Sequence, residues 1–143
     1  MSLDNTQLMS LISLLLLMRS KKKTNEEKLK YKGTYYEDFL AKAIKTGNNV
    51  VLMKKLRVKK ESFDYINQLM TNSIAFTYFR NSNLKSDRFV PIEKQVCVYL
   101  YFISRNYQYD DIAELFGLSG ASMVCQIIDR ASRALVEYKD NFI

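Results

Sequence analysis

The stretch 109-YDDIAELFGLSGASMVCQIIDRASRALVEY-138 has the punctuation of two helices joined by a tight turn. A short helix is predicted from Asp110 to Phe116. Ala113 is small enough to let a following helix approach, Gly117 suits the left-handed turn, and Leu118 points back into the core. Ser119 is placed to cap the second helix by accepting its free amide hydrogens. Stepping residues at 100° intervals gathers Met123, Val124, Ile127, Ile128, Ala131, Ala134, Leu135 and Tyr138 on one face, the buried one. This pattern predicts a helix-turn-helix, the frame with which many proteins lay a second helix in the major groove of DNA.

The opposite face carries Ser122, Cys125, Gln126, Asp129, Arg133 and Val136, with Arg130 and Glu137 at its edge. The two arginines are balanced in formal charge by Asp129 and Glu137. A helix that approaches phosphates usually carries surplus positive charge, so this face is expected to make only a few polar contacts.

Working back toward the N-terminus, Pro91 stands where a first helical turn tolerates proline, and 92-IEKQVCVYLYFIS-104 is predicted to bury Ile92, Val96, Tyr99, Leu100 and Ile103. Residues 80–90 have loop composition. In 50-VVLMKKLRVKKESFDYINQLMTNSI-74 the second part is helical, with Phe63, Ile66, Leu69, Met70 and Ile74 as its apolar stripe. Its first part concentrates Lys54, Lys55, Arg57, Lys59 and Lys60 within seven residues. Such a cluster is either a solvated face or a set of phosphate contacts whose affinity falls with salt. A further helix is predicted from Tyr35 to Lys45, with Tyr36, Phe39, Leu40, Ala43 and Ile44 inward and Gly47-Asn48-Asn49 ending it.

The chain begins with the apolar run 8-LMSLISLLLLM-18, followed by Arg19, Lys21, Lys22 and Lys23. Charge after the run, and Asp4 before it, reverse the order of a secretory signal. A run of eleven residues falls short of the roughly 20 needed to span a bilayer. The run reads as a short helix that buries itself against the domain, against a second copy through Leu11, Leu14, Leu15, Leu16 and Leu17, or, least favoured, on a membrane surface.

Composition narrows the function classes. Four Gly and one Pro in 143 residues leave few turns for an all-β fold, so an all-α domain is expected. Cys97 and Cys125 lie 28 positions apart with no CxxC pair, and the chain has no histidine, which argues against zinc and removes the commonest general base. There is no phosphate-cradling glycine loop and no nucleophile elbow. No cofactor, metal, small-molecule substrate or catalysis is expected. The net charge of +7 divides unevenly: residues 1–90 hold 17 Lys/Arg against 8 Asp/Glu, and residues 91–143 hold 5 against 7. The basic half is not the half with the helix-turn-helix pattern. Three regions are expected: a hydrophobic helix and basic tail over 1–23, a basic helical segment over 24–88, and a helix-turn-helix domain over 89–143.

The order of these pieces, a leucine run leading into basic residues, 35-YYEDFL-40, 56-LRVKKESFDYINQLM-70, 91-PIEKQVCVYLYFIS-104 and 112-IAELFGLSGASMVCQIIDRASRAL-135, resembles the N-terminal region of PIF/Harbinger-type transposases and the nuclease-like proteins derived from them. The most specific part is Phe63-Asp64 after a basic stretch, then Pro91-x-Glu93-Lys94, then the helix-turn-helix. The resemblance implies duplex DNA as the ligand, a nuclear setting, a Myb-like partner protein, and catalytic carboxylates confined to a nuclease domain that this chain lacks. The sequence departs from that pattern at Gly120 and Ala121, where relatives often carry a basic or polar residue.

Two functions compete on this reading. In the first, Ser122, Gln126, Arg130 and Arg133 approach the major groove, Gln126 and Arg133 reading adenine and guanine, while Lys54, Lys55, Arg57, Lys59 and Lys60 hold phosphates. In the second, the same frame serves as a protein-interaction or dimerisation module.

Overall fold

The computed structural model describes Gln7 and residues 30–81 and 89–139. The apolar run with its leucines, the basic residues after it, and residues 82–88 lie outside the described residues. Among those described there is no strand, and the fold is all-α.

The chain enters through Tyr31 and a turn at Lys32-Gly33, then winds as a π-turn over Tyr36–Leu40, in which the Ala41 N–H reaches the Tyr36 carbonyl, and continues as α1 (Ala41–Thr46). Gly47, in the left-handed region at φ 66°, ends α1 while the Asn48 N–H bonds back to the Ala43 carbonyl at 2.9 Å. Asn48 then caps α2 (Asn49–Leu56) by accepting the Val51 N–H. The sequence pattern gives no amphipathic helix here, yet Leu52 and Leu56, four residues apart, are fully buried and fix the helix. Arg57 ends α2 with positive φ, and Val58, buried to 1%, pins the return that brings the Lys60 N–H to the Asn49 side chain at 2.8 Å.

α3 (Lys60–Thr71) buries Phe63, Ile66 and Met70 as the spacing predicts. It stops at Asn72, so Ile74 leaves the stripe: it opens a short 3₁₀ turn, Ile74–Phe76, and is 81% exposed. α4 (Thr77–Asn81) follows directly.

The centre of the molecule is α5 (Ile92–Arg105). Pro91 precedes it at the capping position and does not occupy its first turn. The predicted face, Val96, Tyr99, Leu100 and Ile103, is buried, with Ile92 half-buried, but so are Lys94, Gln95, Cys97, Val98, Tyr101, Ser104 and Arg105. A helix enclosed on all sides has neighbours on all sides. The π-turn, α2 and α3 pack against it from one half of the chain, and α6 (Tyr109–Phe116) and α7 (Ala121–Glu137) from the other. One core cluster runs from Tyr35 to Ala134, drawing on both expected helical regions.

α6 and α7 are joined through Gly117, Leu118, Ser119 and Gly120 and meet at a bend of 96°. The Leu118 N–H closes on the Ala113 carbonyl at 2.8 Å, and Gly117 takes φ 69°. Gly120, not Ser119, is the residue before the helix, and no side chain caps it: the Gly120 carbonyl receives the Met123 N–H at 3.1 Å. Ser119 is one position too early for the capping geometry. The turn is covered by a segment that sequence periodicity could not associate with it. Gly33 lies directly on Gly117, and a Cβ built on Gly117 would come within 2.4 Å of the Gly33 carbonyl oxygen. Beside this contact the Tyr35 ring, fully buried, sits among Tyr31, Phe39, Tyr101 and Phe116 at centroid distances of 5.1, 5.3, 5.3 and 5.5 Å.

Candidate nucleic-acid interface

On α7 the inward residues Val124, Ile127, Ala131 and Ala134 are buried, with Met123, Ile128, Leu135 and Tyr138 half-buried around them. Ser122, Cys125, Gln126, Asp129, Arg133 and Val136 are exposed. Cys97 is buried, so only one of the two thiols packs in the core. Arg133 pairs with Asp129 one turn earlier at 3.1 Å, both side chains 65% exposed. An exposed pair of this kind contributes a few tenths of a kcal/mol at most, so Arg133 can exchange Asp129 for an incoming phosphate or base at small cost.

Arg130 behaves differently. Its Nη1 donates to the Gln95 Oε1 at 2.5 Å, and its guanidinium lies 4.3 Å from the centre of the Phe79 ring and 5.9 Å from that of Phe76. Gln95 is fully buried and spends its own N–H on the Val90 carbonyl at 2.9 Å. Burial lowers the Arg130 pKa, the nearby Arg133 charge lowers it further, and Asp129 opposes both. Arg130 thus ties α7 to the start of α5 and to the aromatic group of α4, with a hydrogen bond from Nη1 and a ring contact. Replacing it by Ala strands the Gln95 oxygen and exposes the Phe79 face. An Arg130→Ala variant is expected to lose about 2 kcal/mol of stability, measurable as a lowered urea midpoint, whether or not nucleic acid is present.

The basic segment is partly a structural device too. Lys54 and Lys55 stand in the last turn of α2, where they complement its negative end. Lys60 pairs with Asp64 at 2.9 Å. Lys54 and Lys59 are exposed and Arg57 half-exposed, and none of the three has an ion-pair partner among the described residues. The Lys54 carbonyl accepts a hydrogen bond from Arg105 Nη2 at 2.8 Å, and the Lys55 carbonyl one from Ser104 Oγ at 3.3 Å. The segment is therefore moored to the last turn of α5. Arg130 is moored to Gln95, ten residues earlier on the same helix, or about 15 Å at 1.5 Å per residue. The nine residues named from the sequence are not gathered into one site by these contacts: five lie on the α2–α3 return, and Arg130 is held toward the other end of α5.

A polar group that sequence reasoning did not single out joins the N-terminal helices to α5. The Tyr36 hydroxyl donates to Glu93 Oε2, and Lys94 Nζ, almost buried, pairs with Glu37 at 2.6 Å. Burial, and then the hydrogen bond and charge of Glu93, push the Tyr36 pKa up; burial and the Glu93 charge push the Cys97 thiol up as well, with Lys94 opposing. Both groups hold their protons more tightly folded than unfolded. The stability they contribute is complete below their ordinary values, near 9 for the thiol and 10 for the phenol, and is lost as pH rises above them. Urea midpoints measured from pH 8 to 11 are expected to fall through that window, and Tyr36→Phe to flatten the upper part of the fall. A midpoint constant to pH 11 contradicts this account.

Among the described residues no three Cys, Asp or Glu side chains come together as a metal-ligand set, and no single helix is long and apolar enough to cross a membrane. No protein-family model, curated protein or solved structure matches the chain.

Proposed function

We propose that this protein is a duplex-DNA-binding module without catalysis of its own, related to the N-terminal region of PIF/Harbinger-type transposases and working in the nucleus beside a Myb-like partner. The observation that carries the reading is the moored basic segment: Lys54, Arg57 and Lys59 are presented on ordered helix ends without carboxylate partners among the described residues. Charges held in place on a folded surface can neutralise phosphates without the ordering cost that a lysine tail would incur. Ser122, Gln126 and Arg133, exposed on α7 after the 96° bend, supply the polar contacts to base edges. Arg130 supports that helix from behind.

Titrating binding to a duplex over a range of salt tests this reading. Log affinity is expected to fall linearly with log salt, with a slope of roughly −0.9 for each phosphate neutralised, so about −3 for three contacts. Absence of duplex binding at low salt refutes it.

A second reading, a protein-interaction module, is favoured by one observation. Ile74, Tyr78 and Val136 are 81%, 63% and 65% exposed. The Glu137 carboxylate, next to Val136, accepts the Ile74 and Ala75 N–H groups at 2.6 and 2.9 Å, and Tyr78 follows Ile74 by one turn. Retention of a partner protein, abolished by Val136→Glu while duplex binding is absent, is the outcome that favours this alternative.

A further inference from the structure

Arg105 is fully buried, yet its charge meets no carboxylate among the described residues. One of its nitrogens binds the Lys54 carbonyl, its guanidinium carbon lies 5.6 Å from the centre of the Tyr101 ring, and its Nε and Nη1 have no hydrogen-bond partner among the described residues. Arg57, the residue that ends α2, also holds a buried Nε without a partner among the described residues. It stands three residues beyond the carbonyl that Arg105 grips. Unmade hydrogen bonds of buried cations are costly, and native structures rarely keep them without a counter-group. The partial negative charge at the end of α2 explains why a guanidinium lies there, but it leaves two cations at one corner without a carboxylate among the described residues.

We infer that the corner where α2 ends against α5 is an oxyanion site for a phosphate group, in which Arg57, half-exposed, makes the contact and Arg105 supplies positive charge from beneath. The inference rests on the reading of the basic segment as a phosphate surface, and narrows it to one anion position backed by a residue outside that segment.

The test compares thermal unfolding of the full chain in inorganic phosphate and in chloride at matched ionic strength, for wild type, Arg57→Gln and Arg105→Met. The midpoint is expected to rise with phosphate in the wild type and to lose that rise in Arg57→Gln, whose half-exposed side chain can be changed without opening the core. Arg105→Met, if folded, loses it too. A rise of equal size in Arg57→Gln, or no rise in the wild type, overturns the site. If Arg105 only neutralises the end of α2, Arg105→Met lowers the midpoint and leaves the phosphate response intact, which also overturns it. Duplex titrations separate the sources of phosphate. A phosphate response without duplex binding keeps the site and removes the DNA reading, whereas duplex affinity unchanged in Arg57→Gln keeps the DNA reading and removes the site.

Discussion

A Gly117→Ala variant is expected to lose about 2–5 kcal/mol of stability. Two costs combine. At φ 69° an L side chain is strained by roughly 1–2 kcal/mol. The new Cβ would also stand 2.4 Å from the Gly33 carbonyl oxygen, a backbone atom with no rotamer to move through. Relief requires either the turn between α6 and α7 or the turn before the π-helix to shift, and overpacking of a rigid contact costs a further 1–3 kcal/mol. Against a total stability of roughly 5–15 kcal/mol this is a large fraction. Chemical denaturation followed by circular dichroism checks it. A loss below about 1 kcal/mol would mean that the two glycines do not meet as described.

The second large effect is expected in binding. Lys54→Glu with Lys59→Glu removes two exposed positive charges that have no ion-pair partner among the described residues, so stability should fall by no more than about 1 kcal/mol, from the charge reversed at the end of α2. If both hold phosphates, affinity for duplex DNA at 0.1 M salt falls by roughly 60-fold from the loss of two contacts, and further from the repulsion of the new carboxylates. The salt slope becomes shallower by about two units. The comparison variant, Gln126→Ala with Arg133→Ala, is expected to change the slope by no more than one unit and to act mainly on discrimination between sequences. A reversed ranking would place the phosphate footprint on α7 and not on the α2–α3 return.

How much of this could be seen in the sequence depends on range. The buried and exposed faces of α7 were legible residue by residue, because a 17-residue amphipathic helix repeats its pattern often enough to fix its orientation. The stripe of α3 was legible up to Met70. α2 was not: with eight residues it offers only Leu52 and Leu56 as inward signals, and five surrounding basic charges mask them. The part played by Arg130 was hidden for a different reason. Its place at the edge of the exposed arc agrees with the sequence, but the pull of Gln95, 35 positions earlier, and of Phe79 is a tertiary contact with no local signature. Arg105 and Gln95 were missed because a central helix hides its polar residues among buried ones, and composition gives no sign that a charge is enclosed. The meeting of Gly33 with Gly117 has the same character: each glycine is visible, their pairing is not.

The position of α5 in the chain has a consequence for how the protein is made. Its bonds reach back 57 residues from Glu93 to Tyr36 and from Lys94 to Glu37, and 51 from Arg105 to Lys54. The helices that emerge first from the ribosome therefore have their principal partner still unsynthesised, and Tyr35, Leu52 and Phe63 must wait in water until residues 92–105 appear. Contacts of such separation slow folding and prolong the exposure of apolar surface. Vectorial synthesis thus leaves this chain dependent on its second half, and premature termination before α5 is expected to yield a fragment prone to aggregate.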